Sequence, residues 1–269
     1  MSRTIKIQTH ERQQGFTLAE LAVVLVIVGL LLGGLMMPLS AQYDSRYLND
    51  NQKTLNDIRE ALIGFAAANG RLPCPAQRNI ATATANAGVE AVTAAGGPCA
   101  CSAVTSGIAA IGATACNENV PGGVTGVLPW ATLGLPETDV WGNRFTYRVT
   151  TRFARVASGQ NAFGGGCSPT TPPTSAAFAL CSAGDITIYA TSGGTALASN
   201  VPVVALSHGK NGVGAWTTSG IQIPGATGDE LENANGDDSF VSNTSIDDQL
   251  IWVSPSILMN RMIAAGKLP

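Results

Sequence analysis

Gln14-Gly15-Phe16-Thr17-Leu18-Ala19-Glu20 opens an almost purely apolar run that continues to Met37, and between Phe16 and Tyr43 the only charge is Glu20. As a helix rising about 1.5 Å per residue, residues 16–37 would reach roughly 33 Å, enough to cross a bilayer core. Residues 1–15 are polar and carry Arg3, Lys6 and Arg12 against Glu11. Positive charge before the run and none just after it predicts a cytoplasmic N-terminus, with the rest of the chain beyond the membrane. Glu20 needs a reason to be there, because a carboxylate inside a spanning helix costs about 2.5–3.5 kcal/mol on insertion scales. If the chain is cut before Phe16, a new α-amino group appears one helical turn from Glu20. The amine of one chain can then pair with Glu20 of a neighbour, which turns the burial cost into a device for setting register. The bland alternative is a glutamate near the membrane surface that snorkels to water.

The stretch 14–20 resembles the class III signal of type IV pilins and type II secretion pseudopilins. The resemblance implies cleavage between Gly15 and Phe16 by prepilin peptidase, N-methylation of Phe16, and Glu20 as the assembly carboxylate. Gly29 and Pro38 match the positions that bracket the part of the helix that loosens in assembled filaments, with Pro38 one residue later than the usual spacing. The implied partners are copies of the chain, other pilins, prepilin peptidase, the inner-membrane platform protein of the assembly machine, and membrane lipid. An ordinary secretory signal is the rival, with Leu39-Ser40-Ala41 as its cleavage site. The length of the apolar run and the presence of Glu20 oppose it.

Composition agrees with an exported domain. Charged residues make up 12% of the chain, the net charge is −3, and Lys and Arg form no cluster, so no nucleic-acid surface is evident. All six cysteines (Cys74, Cys99, Cys101, Cys116, Cys167, Cys181) follow the apolar run and include no CxxC pair. That pattern suits disulfides in an oxidising compartment. Cys167 and Cys181 flank a Pro/Thr-rich loop and form the easiest pair. Cys74 with Cys116 is the preferred second pair, and Cys99 and Cys101 stay open.

Beyond the apolar run, Leu48, Leu55, Ile58, Leu62 and Phe65 form one helical stripe, which predicts a seam against the chain's own sheet. Asn69-Gly70 ends the helix. The expected organisation is a leader at 1–15, a long helix at 16–69 (transmembrane over about 16–37) and a globular domain at 70–269. Residues 71–143 read mostly as connector. Strands are expected at 144–149, 176–180, 185–191, 201–206 and 250–253. Ser254-Pro255 has the chemistry of a cap and first turn for a last helix through Ala265. The fold class is α+β, pilin-like: a long helix on a small antiparallel sheet, a disulfide-stapled loop and a short C-terminal helix.

Islands of the domain carry the resemblance further. Asp139-Val140-Trp141-Gly142-Asn143-Arg144-Phe145-Thr146-Tyr147 resembles the Asp-Pro-Trp-Gly-Asn-Pro-x-x-Tyr segment of the major pseudopilin, with Val140 and Arg144 at the two proline positions. Ser207-His208-Gly209-Lys210-Asn211-Gly212 resembles that family's Ser-x-Gly-x-Asp-Gly turn, and Asp248 precedes Trp252 as a calcium-ligating aspartate does there. The resemblance implies calcium ligands at Asn211 and Asp248, to which the acidic stretch adds Asp247. The acidic stretch from Asp229 to Asp248 has suitable oxygen chemistry but not the spacing of an EF-hand, and it also reads as a solvated loop. No catalytic constellation emerges: His10 lies in the leader, His208 in a Gly-rich turn, and no nucleophile elbow or phosphate loop is present. The chain therefore reads as a filament subunit of a pseudopilus or pilus in the inner membrane and periplasm. A minor tip or priming pilin and a membrane-tethered binding module are the alternatives.

Overall fold

The computed structural model describes residues 15–92, 99, 124–154 and 176–268, with side chains for all of these but 34–41. Two compact units divide the chain after Leu48. Helix α1 runs Leu18–Asn69. In its first unit the apolar side chains from Leu18 to Leu32 are exposed around the whole helix. In the second unit the helix buries a stripe.

That stripe is Leu55, Ile58, Leu62 and Ala66, all fully buried. Spacings of three and four residues place them on one face. Leu48 is 41% exposed, so the expected seam begins one heptad later. Phe65 is only half-buried and lies under the Arg71 guanidinium, 5.3 Å from its ring centre. Gly70 stops the helix as expected: at φ 73° its N–H reaches the carbonyl of Ala66 at 2.8 Å.

A four-stranded antiparallel sheet has the order β1 (Val124–Val127), β2 (Thr146–Val149), β5 (Val203–Ser207), β7 (Gln249–Val253). One face carries Tyr147, Val149, Val203, Ala205, Ile251 and Val253 into the core shared with α1 and α5 (Pro255–Ala264). The other face carries Val204, Leu206 and Leu250 against Ile186, Ile188 and Phe240. These belong to a second sheet in the order β4 (Ala196–Val201), β3 (Ile186–Tyr189), β6 (Ser239–Val241), in which β3 and β6 run parallel. Short helices α2 (Trp130–Leu133), α3 (Thr151–Ala154) and α4 (Gly228–Ala234) complete the domain. The α+β class holds, with a layer of helices, the main sheet and a second sheet.

The strand expected at 176–180 is a turn instead. Phe178 is buried with its ring 4.7 Å from that of Phe153, so packing rather than strand pairing uses its apolar residues. The stretch read as one strand at 201–206 is the end of β4 and most of β5, broken at Pro202, which lacks the N–H a ladder needs.

The preferred pairing of Cys74 with Cys116 is corrected: Cys74 is bonded to Cys99, with Cα atoms 5.4 Å apart. The intervening chain folds back on itself, because Glu90 accepts both Arg71 guanidinium nitrogens at 2.8 and 2.7 Å and the Cys74 N–H at 3.0 Å. Val92 then bridges to Cys99. Closing a loop with sequence separation 25 stabilises by about 3–4 kcal/mol in the chain-entropy account. Cys181 is also disulfide-bonded. Cys101, Cys116 and Cys167 lie outside the described residues, and so does any bond between Cys167 and Cys181.

Leu62→Ala should cost about 2–5 kcal/mol, the usual loss for a large-to-small change in a packed core. Leu48→Ala should stay within about 0.5 kcal/mol, as exposed positions do. Urea denaturation of the two variants checks the seam.

Candidate functional site

The residues expected to serve cleavage and assembly stand at the start of α1. Phe16 is 85% exposed, and a Cβ added at Gly15 would meet nothing within 4 Å, so the peptide between them is open to an enzyme. Glu20 folds back on its own helix end. Its Oε2 accepts the Thr17 N–H at 2.9 Å and the Thr17 hydroxyl at 2.8 Å, while its N–H donates to Thr17 Oγ1 at 3.3 Å. Thr17-Leu18-Ala19-Glu20 is thus a capping box, satisfying two free donors of the helix end reciprocally. The T-x-x-E spacing of this box is local and lies in the sequence, where Glu20 also stands out as a charge in an apolar run. Gly29 also faces open space. The helix runs through Pro38, whose side chain falls outside those described. Among the described residues no helix is long and apolar enough to cross a membrane. The side chains of residues 34–37 of the expected span lie outside those described.

The two resembling islands of the domain meet in space. Asp139 Oδ1 accepts the N–H groups of Trp141 and Asn143 at 3.0 and 2.9 Å, and its Oδ2 accepts the Ser207 hydroxyl at 2.7 Å. Burial raises the Asp139 carboxyl above the ordinary range, against the pull of those hydrogen bonds. The turn after β5 is tight. Gly209 (φ 62°) has no room for a Cβ, which would lie 2.3 Å from the Asp247 carbonyl, and at Gly212 (φ 64°) a Cβ would lie 2.5 Å from Asn143 Nδ2.

The expected calcium ligands are engaged with the protein. Asn211 donates its backbone N–H to Asp247 Oδ2 at 2.8 Å and its amide to Glu230 Oε1 at 2.6 Å, while its Oδ1 accepts the Val213 N–H at 2.9 Å. Asp248 Oδ2 accepts the amide of Asn233 at 2.8 Å. Asp247 Oδ1 and Asp248 Oδ1 are buried without a partner. Among the described residues no group of three His, Cys, Asp or Glu side chains is placed to hold a metal ion.

Comparison with known families supports the N-terminal reading. Residues 11–36 match the prokaryotic N-terminal methylation motif. The match supports the type IV pilin and pseudopilin family, and with it processing by prepilin peptidase and assembly into filaments with other pilins. It points to a membrane-anchored or filament protein with a structural, non-enzymatic role. No curated protein and no solved structure matches the chain.

Within the second unit one buried pair has unusual proton chemistry. His208 has no exposed surface, its Nε2 lies 2.9 Å from Thr146 Oγ1, and its Nδ1 lies 4.0 Å from Asp248 Oδ2. Burial lowers the His208 imidazole to about 4. Burial raises the Asp248 carboxyl to about 7, opposed by the Asn233 hydrogen bond and helped by the charges of Asp247 and Glu230. Between about pH 4 and 6.5 the folded pair holds one proton, on Asp248, and the unfolded pair also holds one, on histidine. Their opposite linkages nearly cancel.

Removing either partner should expose the slope of the other. In Asp248→Asn, His208 remains with a lowered pKa, so its contribution is full above pH 6.5 and is lost as pH falls toward 4. In His208→Gln, Asp248 remains with a raised pKa, so its contribution is full below about 3.9 and is lost as pH rises through 7. Each swing should reach on the order of 3–4 kcal/mol. Urea midpoints of a fragment beginning at Asn49, measured at pH 4.5 and 7.5 with chelator present, should shift in opposite directions in the two variants. The wild-type fragment should shift far less.

Proposed function

We propose that the chain is a structural subunit of a type II secretion pseudopilus or type IV pilus, polymerising through residues 16–37 after cleavage behind Gly15. The observation that carries this is the methylation motif at 11–36, in which an open Gly15–Phe16 peptide precedes a glutamate and an apolar helix surface. An all-round apolar helix needs a surrounding of its own kind, either lipid or identical helices. In the precursor Glu20 is held by Thr17. In the filament it takes the Phe16 amine of a neighbour, and the partners include the peptidase, the inner-membrane platform protein and lipid. The residues resembling the major pseudopilin, from Asp139 to Tyr147 and from Ser207 to Gly212, support the secretion branch. The folded segment containing α4 and β6 supports a second reading, a minor subunit at the tip, where extra bulk is tolerated best. A mere tether would need neither Gly15 nor Glu20.

Mass spectrometry of the purified protein should find a chain beginning at Phe16 and carrying one N-methyl group. An intact leader, or a start near Gln42, overturns the reading.

Glu20→Ala should leave the protein in the membrane yet lower the yield of sheared filaments by about tenfold or more, since the neighbouring amine loses its counter-charge. Thr17→Ala separates the two duties of Glu20. It breaks the cap, a loss of about 1 kcal/mol, but keeps the carboxylate, so filaments should persist. Equal loss in both variants would reduce Glu20 to a capping residue.

A further inference from the structure

The second unit has a groove of about 530 Å³ between α1 and α5, lined by Arg59, Ile63, Ile257, Asn260 and Arg261 among others. Its lining sets two isoleucines among two guanidiniums and the Glu60 carboxylate, so Arg261 is the cation there without a counter-charge among the described residues. Ile257 is 47% exposed, and Arg59 lies 3.7 Å from Glu60 with a side chain 38% exposed. Arg261, on the last turn of α5, is exposed and has no side-chain partner among the described residues. A free guanidinium beside exposed isoleucine on a chain of net charge −3 suits an apolar residue flanked by carboxylates.

The chain carries such a segment. On α4, Leu231 is 51% exposed between Glu230, which accepts the Asn211 amide at 2.6 Å, and Glu232, with Asp229 two residues before it. The segment is held out firmly, because the buried Asn233 bonds to both the N–H and the carbonyl of Val241 and to Asp248. Glu232 keeps one oxygen on the Ser192 hydroxyl at 3.1 Å and is itself half-exposed.

We propose that the α1–α5 groove docks the Glu230-Leu231-Glu232 tip of α4 from a second copy of this chain. Leu231 would sit on Ile63 and Ile257, with the Glu232 carboxylate against Arg261. The two surfaces are different patches of one molecule, so the contact is head-to-tail, the kind that repeats without closing and builds an open helical assembly. The proposal rests on the filament reading and adds to it a contact between globular domains, separate from the N-terminal helices.

The test is charge reversal and exchange in the full chain, scored by sheared-filament yield against the amount of subunit in the membrane. Arg261→Glu and Glu232→Lys should each lower filament yield about fivefold at unchanged subunit level, because each places like charges across the contact. The double variant should return to within about twofold of wild type, since the exchanged charges pair again. Wild-type filaments undiminished by both single reversals overturn the contact and leave the filament reading intact. Loss in Arg261→Glu that Glu232→Lys cannot repair shows that the groove holds a different subunit and overturns the second-copy assignment. A wild-type chain that forms no filaments overturns the filament reading and this contact with it.

Discussion

The guanidinium of Arg144 has no exposed surface, and removing such an ion from water costs several kcal/mol even after relaxation. The domain meets that cost by surrounding all three nitrogens with acceptors. Nε donates to Glu137 Oε1, Nη1 to the carbonyls of Arg78 and Ile80, and Nη2 to Thr82 Oγ1 and the Thr218 carbonyl. The Trp130 ring lies below, its centre 4.8 Å from the guanidinium carbon. The acceptors come from segments 78–82, 137 and 218, which lie outside the named strands and helices. With Thr82, which donates its hydroxyl to Glu137 and its N–H to the Thr218 carbonyl, this side chain makes a single body of chain segments that no sheet or helix would hold. Where the resembling family has proline, which has no donor to give, this chain has the side chain with five.

The same economy appears on the other side of the main sheet. Asn233 spends three hydrogen bonds joining α4 to β6 and to the residue before β7, so the acidic segment is part of the fold and not an appendage. Arg148, nearly buried, reaches the carbonyl of Gly236 and the hydroxyl of Thr125 and so ties the end of that segment to β1. Burial pulls its guanidinium below the ordinary arginine range, with Asp185, Asp238 and Asp237 opposing the shift. Polar side chains with complete or nearly complete hydrogen bonding define the domain where apolar packing is thin.

What could be read in the sequence was what is local. The methylation motif, the Gly70 stop and the Ser254 cap, whose Oγ accepts the Ile257 N–H, all depend on residues within a few positions. β2, β5 and β7 carry enough Val, Ile and Tyr to declare themselves. β1 did not, since Val-Thr-Gly-Val in an Ala/Thr/Gly-rich stretch becomes a strand only by pairing with β2. β4 escaped because its residues are mostly exposed and show no alternation. Residues 176–180 erred the other way: their apolar content packs against Phe153 without a partner strand. For the disulfide the deciding fact was the Arg71–Glu90 pair, joining residues far apart in sequence. The resembling islands were visible separately, but their union through Asp139 and Ser207 needs the β2–β5 register.

The capping box at Thr17 and Glu20 also bears on reversibility. A bare carboxylate travelling between lipid and fibre would face a high barrier in both directions, because the intermediate would hold an unsolvated charge. Here the backbone and hydroxyl of Thr17 serve as a resident solvation shell one turn from the site of cleavage. On the proposed assembly route, the incoming amine displaces that shell, and a departing subunit finds it waiting. On that route, exchange of one set of donors for another would let a fibre both grow and retreat at the membrane without the glutamate ever standing alone.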